Sequence, residues 1–243
     1  MKIRIKIEYD GSNYSGWQFQ VGPDSIQARL EAVLERIFLR NVRVHGSGRT
    51  DAGVHALGQV AAFELPRHFE PDDLRRAMNA LLPPDIAIIE ATAVSDDFDP
   101  RRDARLRAYE YRVLNQDRRS AFDFRYAWLV PPPLDLGAMN AAARRFIGEH
   151  DFTSFRSLGS DEKITVRRVY VSAWSRDGNR LVYRVEASSF MRHMVRTMVA
   201  AMVEAGRGKL APAQVTALIE ARDRSLVPAS APPCGLFLVE VRY

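Results

Sequence analysis

Lys2-Ile3-Arg4-Ile5-Lys6-Ile7-Glu8-Tyr9 alternates polar and apolar residues without a break. Period-two alternation puts the three isoleucines and Tyr9 on one face, as in a strand buried on one side only. The next segment supplies the cover. A polar turn from Asp10 to Gln20 leads to Pro23-Asp24-Ser25, a helix start, after which Ile26, Leu30, Val33, Leu34, Ile37 and Phe38 recur at helical spacing. Short strands are expected near Val42 to Gly46 and Gln59 to Phe63, then a helix carrying Leu74, Met78 and Leu81, then a strand from Ile86 to Val94. The order βαββαβ builds an antiparallel four-stranded sheet with helices on one face.

The second half has similar grammar. A strand from Leu106 to Val113 precedes a long connection through Pro131-Pro132-Pro133, a helix from about Leu136 to Phe146, and a hairpin. Its arms are Val169 to Trp174 and Leu181 to Ala187, with Asp177-Gly178-Asn179 as turn chemistry. Helices around Met191 to Glu204 and Ala213 to Ala221 and a strand from Leu236 to Tyr243 complete the set. The expected fold class is α+β: two βαββαβ (ferredoxin- or RRM-like) units whose antiparallel-rich sheets flank a central basic cleft. Residues 1–102 are expected to form the first unit, with the Gly48 to His55 loop, and 103–243 the second, completing the cleft. The symmetry rests on element order alone, without a residue-level repeat.

Composition narrows the class. The 243 residues are 47% hydrophobic and 27% charged, the balance of a soluble globular chain. No apolar run approaches the roughly 18 residues that span a bilayer, and Met1 to Asp10 alternate instead of forming a signal-peptide core. The expectation is a cytoplasmic protein without membrane association. A lone cysteine, Cys234, excludes an internal disulfide and a multi-cysteine zinc site, and His45, His55, His68, His150 and His193 lack ligand spacing. No metal and no cofactor are therefore expected. The net charge of +5 favours an anionic partner. Thirty-one arginines stand against four lysines, and eight arginines fall between Arg101 and Arg125 against four acids. Arginine's planar fork suits phosphate, although genome composition or heat adaptation also produces such a bias.

Three constellations carry candidate chemistry. Gly48-Arg49-Thr50-Asp51-Ala52-Gly53-Val54-His55 places one carboxylate beside a guanidinium in a turn where Gly46, Gly48 and Gly53 admit close approach of a substrate. The alternative is a hairpin connection whose Asp and Thr bond their own backbone. Asp10, in the comparable turn, reads as a cap. Tyr109 and Tyr111 alternate with Glu110 and share a strand face, available for stacking on a base or for the core. Arg192 and Arg196, four apart in an apolar segment, would share a helical face. Each buried guanidinium needs a carboxylate, with Asp51 the natural candidate and Asp151 the competitor.

Taken in order, these residues resemble the tRNA pseudouridine synthase A (TruA) family almost end to end. The matching set is Tyr9-Asp10-Gly11 through Tyr14, Gly16-Trp17-Gln18, Gly48 to His55, Arg107 with Tyr109 and Tyr111, Gly148 with His150-Asp151-Phe152, Met194-Val195-Arg196 and Gly235-Leu236. Asp99-Pro100 stands where the family shows His-Ala, Thr197 where it shows Asn, and Ala200 where it shows Gly. The resemblance implies isomerisation of uridine to pseudouridine in the anticodon arm of tRNA, at positions 38 to 40, by a homodimer. It implies Asp51 as nucleophile or base, Arg196 as its ion-pair partner, Tyr109 stacked on the uracil, Arg49 displacing the target base, and Leu236 as an apolar wall. Two rival readings stay open. A non-catalytic RNA-binding protein leaves the Asp51 loop unexplained, and a metal- or water-activating hydrolase lacks a second clustered ligand.

Overall fold

The computed structural model describes residues 1–157, 159 and 162–243. In chain order its elements are β1 (Lys2–Tyr9), α1 (Ile26–Phe38), β2 (His45–Gly46), β3 (His55–Glu64), α2 (Pro71–Leu81), β4 (Ile86–Val94), β5 (Leu106–Leu114) and β6 (Trp128–Leu129). There follow α3 (Leu136–Ala143), β7 (Gly148–Asp151), β8 (Val166–Asp177), β9 (Arg180–Ala187), α4 (Met194–Gly206), α5 (Gln214–Ala221) and β10 (Leu236–Arg242). The protein is a mixed α+β chain whose strands pair mostly antiparallel. It divides into two compact units, Met1–Arg105 with Phe237–Tyr243, and Leu106–Leu236.

In the first unit, β1 runs between β4 and β3, antiparallel to both. The alternation read in β1 is realised: Ile3, Ile5 and Ile7 are fully buried, as are Ile26, Leu30 and Leu34 of α1 and Leu74 and Met78 of α2. Each such side chain contributes about 1.5–3 kcal/mol relative to exposure. Ser25 caps α1 by accepting from the Ala28 N–H at 3.3 Å, and Leu39 ends it at φ 55°. β3 starts at His55, four residues before the expected point, and is buried nearly throughout. Being central, it shows no alternation to read. β1 occupies one of its edges. The other is shared by β2, opposite Ala61 and Ala62, and β10, which runs parallel at His55 and Ala56. The closing strand, expected in the second half, thus joins the first sheet from Phe237 onward.

In the second unit the order is β5-β9-β8-β7, all antiparallel, with β6 parallel to β5. α4 is buried along most of its length, and α3 packs against it. Here one expectation is corrected. The helix begins at Met194, because His193 sits in the left-handed region at φ 65°, so Arg192 lies outside it and shares no helical face with Arg196.

Both units close a sheet edge in the same way. Asn79 of α2 donates to the Ile88 carbonyl at 2.9 Å and accepts its N–H at 2.7 Å. Asn140 of α3 does the same at Trp174, at 3.1 and 2.9 Å. Each amide satisfies backbone groups that no neighbouring strand reaches.

Candidate active site

Asp51 heads a four-residue turn. Its carbonyl accepts the Val54 N–H at 3.1 Å, and Gly53 occupies the third position with φ 75°. That is type II geometry, which requires a positive φ there. Gly46 and Gly48 keep ordinary dihedrals, contrary to the reading that all three glycines serve the backbone. Gly46 provides space instead: a Cβ there would lie 2.5 Å from the Trp17 ring.

The residues before the turn are held from several sides. Ser47 N–H donates to the Val60 carbonyl at 2.8 Å, its hydroxyl donates to Gln59 Oε1 at 2.7 Å, and Gln59 Nε2 donates to the Gly48 carbonyl at 2.9 Å. Thr50 is buried, with its Oγ1 2.8 Å from the Tyr9 hydroxyl. Burial pushes Tyr9 up to about 12, against the pull of its hydrogen bonds with Thr50 and Gln59. The segment Asp10 to Trp17 braces the other side. Trp17 N–H donates to the Thr50 carbonyl at 3.1 Å, and Gly53 N–H to the Tyr14 carbonyl at 3.3 Å. A Cβ on Gly16 would stand 2.5 Å from the Thr50 carbonyl oxygen, and one on Gly11 would stand 2.0 Å from that of Val54.

Asp10 caps the turn at Gly11–Asn13 by accepting from the Ser12 N–H at 2.9 Å, as expected of it. Its Oδ1 is also 3.1 Å from His55 Nδ1. The Gly11 N–H points at the same nitrogen, likewise at 3.1 Å. His55 is buried and stacked on Phe237, ring centroids 4.6 Å apart. On this fixed mount Asp51 is half-exposed and Arg49 exposed. Tyr9, Trp17, His55 and Gln59 form a support that sequence reading had not assigned, because local pattern cannot pair residues so far apart.

The other expected site residues belong to the second unit. Tyr109, on β5, is 9% exposed and meets Phe190 edge-on at 5.1 Å. Tyr111, on the same strand face, is core: fully buried, with its hydroxyl donating to the Pro232 carbonyl at 2.8 Å. Burial raises it well above the usual tyrosine range. Arg196 is half-exposed on α4. Its Nε donates to the Ala231 carbonyl at 2.7 Å, while Ala231 N–H returns a bond to the Arg196 carbonyl at 3.1 Å. Leu236, 5% exposed, opens β10. Asp151, the competing carboxylate, is engaged by Arg222 at 3.1 Å and by the Thr153 hydroxyl at 2.6 Å. Burial pushes Asp151 up, but the Thr153 and Thr165 hydroxyls and Arg222 outweigh it and hold the carboxyl below its ordinary value. Within the arginine-rich stretch, Arg102 pairs with Asp103 at 3.0 Å and Arg112 with Glu110 at 3.8 Å.

Among the described residues, no group of three His, Cys, Asp or Glu side chains is placed to hold a metal ion. No described helix is long and apolar enough to cross a membrane.

The family profile described as tRNA pseudouridine synthase matches residues 5–102 and 142–243. Among curated proteins, the chain is 43% identical over 242 residues to the tRNA pseudouridine synthase A of Geotalea uraniireducens (strain Rf4), covering 100% of this chain and 99% of that one. It is 45% identical over 245 residues to the protein of the same name from Solibacter usitatus (strain Ellin6076), with 100% and 99% covered. Identity to that of Thermotoga sp. (strain RQ2) is 43% over 244 residues, with the same coverage. A profile matched across both units, together with relatives aligned over their full length, shows that the chain belongs to the tRNA pseudouridine synthase family and is an isomerase.

Proposed function

We propose that this isomerase converts uridine to pseudouridine in the anticodon stem-loop of tRNA, at positions 38 to 40, with Asp51 as the nucleophile or base. The observation that carries the reading is the mounting of Asp51, a half-exposed carboxylate at the head of a turn whose flanks are tied to β1, β3 and the Asp10 to Trp17 segment. The reaction breaks the C1′–N1 bond, turns the uracil, and joins C1′ to C5, whose hydrogen leaves as a proton while N1 takes one up. A positioned carboxylate serves each route open to it, by adding to C6, attacking C1′ or taking the C2′ proton. Fixed placement matters because a detached base must be recaptured before water intervenes.

Arg196 is the proposed ion-pair partner that keeps Asp51 charged. Tyr109 stacks on the uracil, Leu236 walls the pocket, and Arg49 displaces the target nucleotide, whose extrusion from a stem costs a few kcal/mol. In this reading the arginine-rich surface takes the tRNA by its phosphates. The enzyme works in the cytoplasm as a homodimer, without metal or cofactor.

The test uses tRNA tritiated at uracil C5. Wild-type enzyme should release tritium from unmodified tRNA, and release should vanish when residues 38 to 40 of the tRNA are cytidines. Undiminished release from the cytidine substrate would contradict the proposed target.

A further inference from the structure

Gln59 is a polar residue on an apolar face. In the register of β1 with β3, Phe63 lies opposite Ile3, Ala61 opposite Ile5 and Gln59 opposite Ile7, so the amide shares the side of the sheet that carries the buried isoleucines. It is fully buried. An amide in such a place is unfavourable unless its polar atoms are bonded, and an aliphatic side chain would fill the same space without that demand.

The bonds it makes point to one segment. Gln59 Oε1 accepts the Ser47 hydroxyl at 2.7 Å and the Val60 N–H at 3.1 Å, and Nε2 donates to the Gly48 carbonyl at 2.9 Å. The Tyr9 hydroxyl hydrogen-bonds Gln59 and also stands 2.8 Å from Thr50 Oγ1. Apart from the Val60 N–H, these bonds lead to residues 47–50, the run-in to Asp51. Arg49 stands between the two tied points, Gly48 and Thr50, and Asp51 follows directly.

We propose that Gln59 is a positioning residue for the isomerisation, setting where the Asp51 turn leaves the sheet. It touches neither substrate nor the reacting atoms and acts through Gly48 and through Tyr9 and Thr50. β3 is the central strand and the least free to move, so an amide fixed to it transfers that rigidity to the loop. Small misplacement of a reacting group lowers the chemical step far more than it lowers binding, and a displacement of about 1 Å can cost on the order of a hundredfold. The effect of losing Gln59 therefore belongs in the rate of rearrangement, with tRNA affinity kept.

The inference rests on Asp51 as the reacting group, and the experiment separates the two. Tritium release from C5-labelled tRNA is followed in single turnover with the full-length enzyme in excess, beside tRNA affinity by filter binding and the urea midpoint. Gln59→Met keeps the length of the side chain without its amide, and its saturating rate should fall at least about tenfold while the tRNA dissociation constant stays within about threefold. Ser47→Ala, a smaller deletion that loosens the amide, should lower the rate about threefold. Asn79→Ala removes an amide bonded to the β4 backbone in the same unit, and should lower the urea midpoint while leaving the rate unchanged. A full rate in Gln59→Met or in Ser47→Ala overturns the assignment of Gln59, as does a loss confined to tRNA affinity. So does a fall in the rate of Asn79→Ala that matches its loss of stability, because rate would then follow stability and not placement. Release retained by Asp51→Asn overturns instead the reading on which the assignment rests.

Discussion

Gly16 shows how one missing Cβ places the candidate carboxylate. It holds φ +92°, and an added methyl group would meet the Thr50 carbonyl oxygen at 2.5 Å and the Asp51 carbonyl carbon at 3.0 Å. Gly22 has a similar φ of +98° with nothing within 4 Å of its imagined Cβ. The pair separates strain from displacement. Gly22→Ala should cost roughly 1–2 kcal/mol of stability in urea titration and leave turnover unchanged. Gly16→Ala should cost more and lower kcat at least tenfold, because only its methyl group pushes on the Asp51 turn. Equal effects at the two positions would mean that the turn tolerates movement. Sequence alone singled out the Asp51 loop but assigned Gly46 and Gly48 to backbone freedom. The spatial role of Gly46 depends on Trp17, and no local pattern reports that neighbour.

At the scale of elements, β1 is both sheet strand and anchor, since its last residue, Tyr9, holds Thr50 beside Asp51. Burial raises the Tyr9 hydroxyl from its usual 10 to about 12, so the fold favours the neutral phenol. A raised folded-state value gives stability that is whole below pH 10 and is lost as pH climbs toward about 12. Tyr111 and Tyr183, raised by burial too, contribute in the same direction. Tyr9→Phe should lose about 1 kcal/mol near neutrality, from the hydrogen bond forfeited at Thr50. Its further decline above pH 10 should be shallower than that of the wild type. Parallel curves of urea midpoint against pH would contradict this. β1 and α1 were legible because each has one buried face and therefore a clean period. β3 was cut short because both its edges are paired and its burial is nearly continuous. The start of α4 was misplaced by three residues because the left-handed turn at His193 carries no glycine to announce it.

Over the whole molecule, the α+β class and the membership of the tRNA pseudouridine synthase family follow from motifs spread along the chain, each too short to decide alone. The placement of β10 was beyond reach, because a parallel pairing between His55 and Phe237 joins residues far apart in the sequence. The helical asparagines Asn79 and Asn140 make the same pair of backbone bonds in the two units, a likeness of use visible only in three dimensions. Turnover by the intact enzyme on intact tRNA is where these parts must act together, with Asp51 as the proposed reacting group. The decisive measurement compares wild type with Asp51→Asn for tritium release from C5-labelled tRNA, alongside tRNA affinity by filter binding. The account predicts that release is abolished while affinity stays within a few-fold of wild type; retained release by Asp51→Asn would contradict it.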